Sequence, residues 1–557
     1  MREDFGRAVA DQMKVFSGAR LRHAVIALLV AIGLAGVDLP AYSQERLVPL
    51  AQPGPWPGVS GLIGYGDRLW LVNSVKFVNH NSADVYSYAP ATGQARYERH
   101  LFSQDAGDPV VSNNLLYWPF EDPRVSLGRG EFMVTNGNTW RWHMLPQGLA
   151  FHVHAMAALD GKLFAATSAW RGGLQVSEDK GRTWRVANDH PTPDGFVSRF
   201  TTLASHNGAL YAGLTAWRED GPRLFIYDGS TLVAAPGFPE GRAIPKMMSF
   251  GGDLYATLTN GSESALWRYD GDTAEPVESL KDYWVRDMAV GEDFWAITVE
   301  EDGGILWRSS DGRDWKQVQQ FKGAAPLDIE LYAGSVYVGT EGPDDRGTLW
   351  GPPSPAGTEG AINRSDVPQP QHPLDTQGAR EDLLSALDTA LAKPQTYERH
   401  AGILRAALLP LFDQANVQTG RELTKRLDAK FPDKEIKLIG GQVAISAAML
   451  ARWHLLWAMA RIGHGRVPPA YLSLPWTVER NRAEKYFDLP PIAAWTVARL
   501  GQSDDETVGA LITRIERNDD PLWLKGDFVG ALSAATGQRF GYDTAAWRQW
   551  WNARRGD

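Results

Sequence analysis

Asp160-Gly161-Lys162-Leu163-Phe164 is a tight polar turn that feeds an apolar pair, and the chain carries seven copies of this phrase. The other six are Gly66-Asp67-Arg68-Leu69-Trp70, Asn113-Asn114-Leu115-Leu116-Tyr117, Asn207-Gly208-Ala209-Leu210-Tyr211, Gly252-Asp253-Leu254-Tyr255, Glu292-Asp293-Phe294-Trp295 and Ala333-Gly334-Ser335-Val336-Tyr337. Their first apolar residues stand at 69, 116, 163, 210, 254, 294 and 336, so the spacings are 47, 47, 47, 44, 40 and 42 residues. A period of roughly 40 to 50 residues, with several strand-like runs in each unit, is what the blade of a β-propeller requires.

In the third unit the strands can be followed singly: 154–158 innermost, 163–167 next, 173–177 third and 183–186 outermost. Alternation with β-branched and aromatic residues argues for strands, and Gly and Asp at the joints supply the hairpins. The seventh unit stops short, because Gly347-Thr348-Leu349-Trp350 runs into Gly351-Pro352-Pro353, which cannot extend a ladder. Arg46-Leu47-Val48-Pro49-Leu50 is a strand with no unit of its own. It is expected to pair as the outer strand of the last blade and close the ring, where Pro49 is tolerated because an outermost strand uses one side of its ladder.

A chain of 557 residues exceeds what one core supports, so more than one domain is expected. Apolar residues at 43% and charged residues at 22% are those of a globular protein, which excludes disorder as the main state. A net charge of −10 and the lack of a long basic run argue against nucleic acid as a partner. Arg20, Arg22 and His23 precede an unbroken small and apolar run over 24–36, and Ala41-Tyr42-Ser43 offers the small residues that a signal peptidase accepts. Residues 1–43 therefore read as a bacterial export signal, with Met13 a more usual start than Met1, and the mature chain is expected in the periplasm or outside the cell. The run is short for a bilayer span; a short membrane anchor is the alternative. With no cysteine there is no disulfide framework, thiol nucleophile or thiolate metal site, and packing must supply the stability.

Six prolines between Gly351 and Pro373 mark a linker. Beyond it the apolar period becomes helical over 382–387, 401–412, 442–462, 492–500, 506–515 and 522–535. The expected organisation is an export signal at 1–43, an all-β seven-bladed propeller at 46–353, a linker at 354–377 and an all-α domain at 378–557.

Ser177-Glu178-Asp179-Lys180-Gly181-Arg182-Thr183-Trp184 matches the pattern S-x-D-x-G-x-T-W in full, and by it the region 46–353 resembles the Asp-box (BNR-repeat) β-propellers of the sialidase-like group. Ser309-Ser310-Asp311-Gly312-Arg313-Asp314-Trp315 is a copy one residue shorter, and Thr135-Asn136-Gly137-Asn138-Thr139-Trp140 is more degenerate. In such a turn an Asx side chain caps amides, glycine takes a positive φ and Trp packs between sheets. Ser177, Asp179, Gly181, Thr183, Trp184, Asp311, Gly312 and Trp315 are thereby assigned a structural role. The resemblance further implies an Arg-Ile-Pro motif, an arginine triad and a tyrosine nucleophile with an acid partner. Arg242-Ala243-Ile244-Pro245 comes nearest but carries an extra residue, Arg199 and Arg286 could complete a cluster, and spacing assigns no Tyr–Glu pair. These departures argue against sialidase activity.

Asp-box turns occupy one face of the disc, so the inner strands start at the opposite mouth. The residues there are His152, His154, Arg199, Lys246, Arg286, Asp287, Asp328 and Glu330. Charges of both signs suit a polar ligand; channel residues that only face water are the alternative. Trp170-Arg171 and Trp217-Arg218, in repeat-related loops of that face, could stack on a sugar or hold a carboxylate, or could simply be packing tryptophans of common descent. Glu300-Glu301-Asp302 and Asp344-Asp345 lack calcium-loop spacing, and His152-Val153-His154 lacks a third zinc ligand, so no metal and no cofactor is expected.

The chain ends in Ala531-Leu532-Ser533-Ala534-Ala535-Thr536-Gly537, a loop, Asp543 and Trp547-Arg548-Gln549-Trp550-Trp551, which resembles the closing unit of bacterial HEAT-like repeat proteins. That resemblance implies a protein partner docked on helical pairs; a lone bundle packed beside the propeller is the alternative. The sequence leads to a non-catalytic binding or scaffold protein, with a carbohydrate or polar ligand at the propeller mouth. A sialidase-like hydrolase or a polysaccharide lyase is the second reading.

Overall fold

The computed structural model describes residues 46–75, 82–123, 130–145, 152–168, 171–191, 198–216, 220–261, 263–342, 346–354, 365–369, 380–393, 397–412, 415–432, 434–437, 444–475 and 488–556. The export signal, Trp170, Trp217, Arg218, Asp344 and Asp345 lie outside these residues, as does the linker apart from 354 and 365–369.

From Val48 to Gly351 the chain runs as short antiparallel ladders, each turning outward from an inner strand. Gly58–Tyr65, Arg68–Ser74, Asp84–Ala89 and Gln94–His100 pair in that order, and Trp284–Val290, Phe294–Glu300, Gly303–Ser309 and Lys316–Lys322 repeat the scheme. The inner strands His152–Leu159, Arg199–His206, Met247–Phe250, Trp284–Val290 and Ala325–Tyr332 pack side by side in sequence, and Ala325–Tyr332 then lies against Gly58–Tyr65. Sheets radiating from a ring of inner strands are a β-propeller. The first strand, Val48–Ala51, pairs antiparallel with Thr348–Gly351, setting Val48 opposite Gly351 and Pro49 opposite Trp350. The Gln319 side chain pins it, accepting from Leu47 N at 2.9 Å and donating to Leu47 O at 3.2 Å.

The Ser177–Trp184 turn is held by its own side chains. Asp179 accepts from Thr183 N at 2.8 Å and Thr183 Oγ1 at 2.6 Å, Ser177 Oγ accepts from Gly181 N at 2.9 Å, and the Trp184 indole donates to Gly181 O at 3.1 Å. Because these bonds commit Thr183 and Trp184 to the turn, the outer strand begins at Arg185 and not at 183. At the second turn Asp311 accepts from Arg313 N and Asp314 N, both at 2.9 Å, and the Trp315 indole donates to Gly312 O at 3.1 Å. Trp315 then packs against Phe294 between two sheets. Residues 365–369 lie along the propeller: Asn136 Nδ2 donates to Ser365 O at 3.1 Å, and Val367 is buried beside Leu115, Phe132 and Val153.

The remainder is helical from Arg380–Ala392 to Thr544–Arg555, with departures from expectation that include the short helix Pro469–Leu472. Glu435–Lys437 and Ala444–Ser446 form a two-stranded ribbon, so the region is not all-α and the long central helix begins at Ala447. Val417–Leu427 is a helix that the apolar period misses, because Thr419 and Gly420 occupy buried positions beside Leu423 and Leu427. No helix among the described residues is long and apolar enough to cross a membrane.

The helical region is welded to the propeller. Its Leu522–Thr536 helix covers Gln94–His100, an outermost strand, and one core joins Leu101, Phe102 and Trp142 to Trp495, Phe528 and Trp547. The helix comes so near that a Cβ at Gly530 would lie 2.6 Å from that of His100. Fully buried there, the His100 ring sits between two carboxylates, with Nδ1 2.8 Å from Asp84 Oδ1 and Nε2 3.2 Å from Asp527 Oδ1. Asp84 Oδ2 accepts from the Trp56 indole and the Tyr542 hydroxyl as well, each at 2.7 Å. A neutral imidazole owns one N–H, so bonding both carboxylates requires the imidazolium. Burial opposes that charge, but Asp527 and Asp84 outweigh it and raise His100 to about 9.

The folded-state value lies above the ordinary 6.5, so the stability His100 adds is complete below pH 6.5 and is lost as pH rises through 9. The difference in urea stability between wild type and His100→Gln should shrink by about 3 kcal/mol between pH 6.5 and 9.5. A difference that stays constant across that window would refute the charged latch.

Candidate functional site

The inner strands are bulged, which turns side chains toward the axis. Register breaks fall between Ser60 and Ile63, Val153 and Ala155, Phe200 and Thr202, Val285 and Asp287, and Pro326 and Asp328. Just past these breaks, Asp287 and Asp328 approach Lys246 of the neighbouring Met247–Phe250 unit. Lys246 Nζ lies 3.0 Å from Asp287 Oδ1 and 3.2 Å from Asp108 Oδ1. Asp108 belongs to a unit remote in sequence, so this ammonium ties together separate parts of the ring.

Sequence reading overlooked Asp108, although it stands eight residues before Leu116 just as Lys246 and Asp328 stand eight before Leu254 and Val336. Pro109 hides it by splitting the inner strand of its unit into Ser103–Ala106 and Val110–Ser112. In the gap, Asp108 N donates to His154 O at 2.9 Å, and any Cβ at Gly107 would lie 2.0 Å from that oxygen. Backbone amides supply the other partners that side-chain motifs could not show. Asp328 accepts from Gly61 N at 2.9 Å and Leu62 N at 3.4 Å, and Glu330 accepts from Gly64 N at 3.2 Å.

Three acids around one ammonium cannot all ionise freely. Burial alone would lower the Lys246 ammonium, yet Asp108, Asp287 and Asp328 together hold it above its ordinary value. Burial raises Asp287 and Asp328, each reinforced by neighbouring carboxylates, and lifts Glu330 to about 7. The second grouping is made of basic side chains, two imidazoles and a guanidinium. His152 and His154 stack with ring centroids 5.2 Å apart, and His154 Nε2 meets Ser168 Oγ at 2.8 Å. Burial, His152 and Arg199 push His154 well below its ordinary value, so its imidazole is neutral at pH 7. Arg286 is half-buried and engages no acceptor among the described residues. The predicted mouth residues thus fall into an acid–lysine cluster and a His152–His154–Arg199 cluster, with Arg286 joined to neither; of Arg171 only the backbone is described. Among the described residues no group of three or more His, Asp or Glu is arranged to hold a metal ion.

No protein-family model matches the chain, and no curated protein matches it. Among solved structures it is similar to "The beta-propeller domain of the Trilobed protease from Pyrococcus furiosus", at 11% identity and TM-score 0.37 over 55% of this chain and 99% of that one. It is similar too to the chain of "YCF48 bound to D1 peptide", at 14% identity and TM-score 0.41 over 57% and 99%. Likeness at this level bears on no activity, ligand or partner.

Removing the ammonium should leave the carboxylates uncompensated. Lys246→Met is expected to destabilise by about 3–5 kcal/mol at pH 8 and by less at pH 5, where the acids take up protons. Glu330, raised above its ordinary value, costs stability as pH climbs from 4.5 through 7, so Glu330→Gln should gain about 3 kcal/mol at pH 8 and little at pH 4.5. Urea titrations at both pH values decide, and pH-independent effects would mean that the cluster is not electrostatically coupled.

Proposed function

We propose that this is an exported, non-catalytic binding or scaffold protein of the bacterial periplasm or cell surface. Its propeller is read as seven-bladed and of the Asp-box, sialidase-like kind, with a HEAT-like helical domain that offers a surface to a protein partner. Seven repeats of the turn phrase and the self-capped turns at Asp179 and Asp311 support that reading of the propeller. The terminal Gly537 and Asp543, which end one helix and cap the next, support the helical one.

The observation that carries the binding reading is the mutual satisfaction of the axial groups. Lys246 is spent on Asp108 and Asp287, Asp328 on backbone amides and His154 on Ser168, so among these described residues no acid–base pair is left poised beside a nucleophile. Arg286, half-buried and with no acceptor among the described residues, is a cation that can meet an anionic group of a carbohydrate or other polar ligand. One observation favours the alternative of a glycan-acting hydrolase or lyase: Glu330, held near neutrality, has the protonation of a general acid.

A glycan array with the mature protein, followed by product analysis of each hit, separates the readings. Retention without turnover is expected, with anionic glycans weakened at least tenfold by Arg286→Ala. A cleaved product would overturn the non-catalytic reading, and undiminished affinity in Arg286→Ala would remove the mouth as the site.

A further inference from the structure

Between the propeller and the helices lies a second polar grouping, chemically opposite to the axis. The Arg499 guanidinium lies by two indoles, 4.9 Å from the Trp142 centroid and 5.7 Å from that of Trp495, and makes no hydrogen bond among the described residues. Arg99 stacks on the same Trp142 ring at 5.6 Å, with its Nε buried and without an acceptor. The Trp142 indole N–H is likewise buried without a partner. Glu131, the carboxylate whose charge reaches Arg499, is committed to Arg461 Nη2 at 2.7 Å.

Each of these orphan groups is a donor, and neither guanidinium nor indole N–H can accept. Aromatic faces compensate part of the charge but satisfy no N–H. Leaving such donors dry costs on the order of 1–3 kcal/mol apiece, more for charged ones. A species that only accepts and carries negative charge is the chemical complement of donors of this kind. Arg499 as a residue is half-buried, and no buried carboxylate or carbonyl among the described residues takes its N–H groups. Burial also depresses Arg499 to about 10, which keeps it cationic at neutral pH.

We propose that the interdomain boundary at Arg499 and Trp142 binds a small oxyanion, either a phosphate or a carboxylate. The site is independent of the propeller mouth. Isothermal titration of the mature full-length protein with inorganic phosphate, and separately with acetate, in chloride buffers of matched ionic strength tests it. Saturable binding of about one ion per chain is expected, at least tenfold weaker in Arg499→Gln and partly restored in Arg499→Lys. A tighter response to acetate than to phosphate would support the site with a carboxylate as its occupant. Should Arg499→Gln fail to fold, Trp142→Phe, which keeps the ring and deletes one donor, must still weaken binding several-fold. No saturable binding of either ion, or wild-type affinity in both the Arg499 and Trp142 variants, overturns the proposal.

Discussion

Asp84 gathers donors from three distant stretches of chain: the Trp56 indole ahead of the first inner strand, His100 on the outermost strand of the same unit, and the Tyr542 hydroxyl near the C-terminus. A carboxylate withdrawn from water costs several kcal/mol unless its lone pairs are met, and here they are met only when the propeller and the helical region are both in place. His100 extends the dependence to Asp527 on the covering helix, and Arg539 adds a second link to Glu98 at 2.6 Å. Since the apolar core is also continuous across this boundary, the first unit and the helices form one cooperative body. The face of the covering helix that meets Gln94–His100 is consequently closed to solvent.

The same economy of place governs the axis. A ring of repeated units brings one register position from each unit toward a common centre, so whatever residue type occupies it meets its counterparts. Asp108, Asp287 and Asp328 at that position would repel each other; Lys246, at the same position in another unit, makes the arrangement tolerable. Where the position holds an alanine, as at Ala155, the preceding His154 turns to Ser168 instead. The channel is thus polar by repetition and specific by exception.

How much of this was legible in the sequence depended on the range of the interaction. The turn phrase, the capped turns at Asp179 and Asp311 and the added strand at Val48 are local or follow from counting, and the propeller could be read from them. The coming together of Lys246, Asp287 and Asp328 followed from placing them at inner-strand starts. Asp108 was missed because Pro109 interrupts the pattern that would have marked it. Thr183 and Trp184 were misplaced by strand propensity, which the capping bonds of Asp179 override. The His100–Asp527 contact spans 427 residues, and nothing in the local composition of either segment announces the other. The ribbon at Glu435–Lys437 was hidden by the apolar helix that follows it.

The two polar interiors pull in opposite directions. At the axis acceptors are in excess and the strain is relieved internally, by an ammonium and by backbone amides of Gly61, Leu62 and Gly64. At the interdomain boundary donors are in excess, and Glu131, the carboxylate whose charge reaches Arg499, is already taken by Arg461. Acids can also relieve crowding by holding a proton, as the raised Glu330 does. Guanidinium groups have no such recourse at neutral pH, because even a lowered Arg499 at about 10 stays charged. An acid cluster can therefore be self-contained, whereas a guanidinium cluster must find its complement outside itself. That asymmetry sets the boundary apart from the axis: the axial charges are balanced by the fold, and those of the boundary are left to solvent or to a ligand.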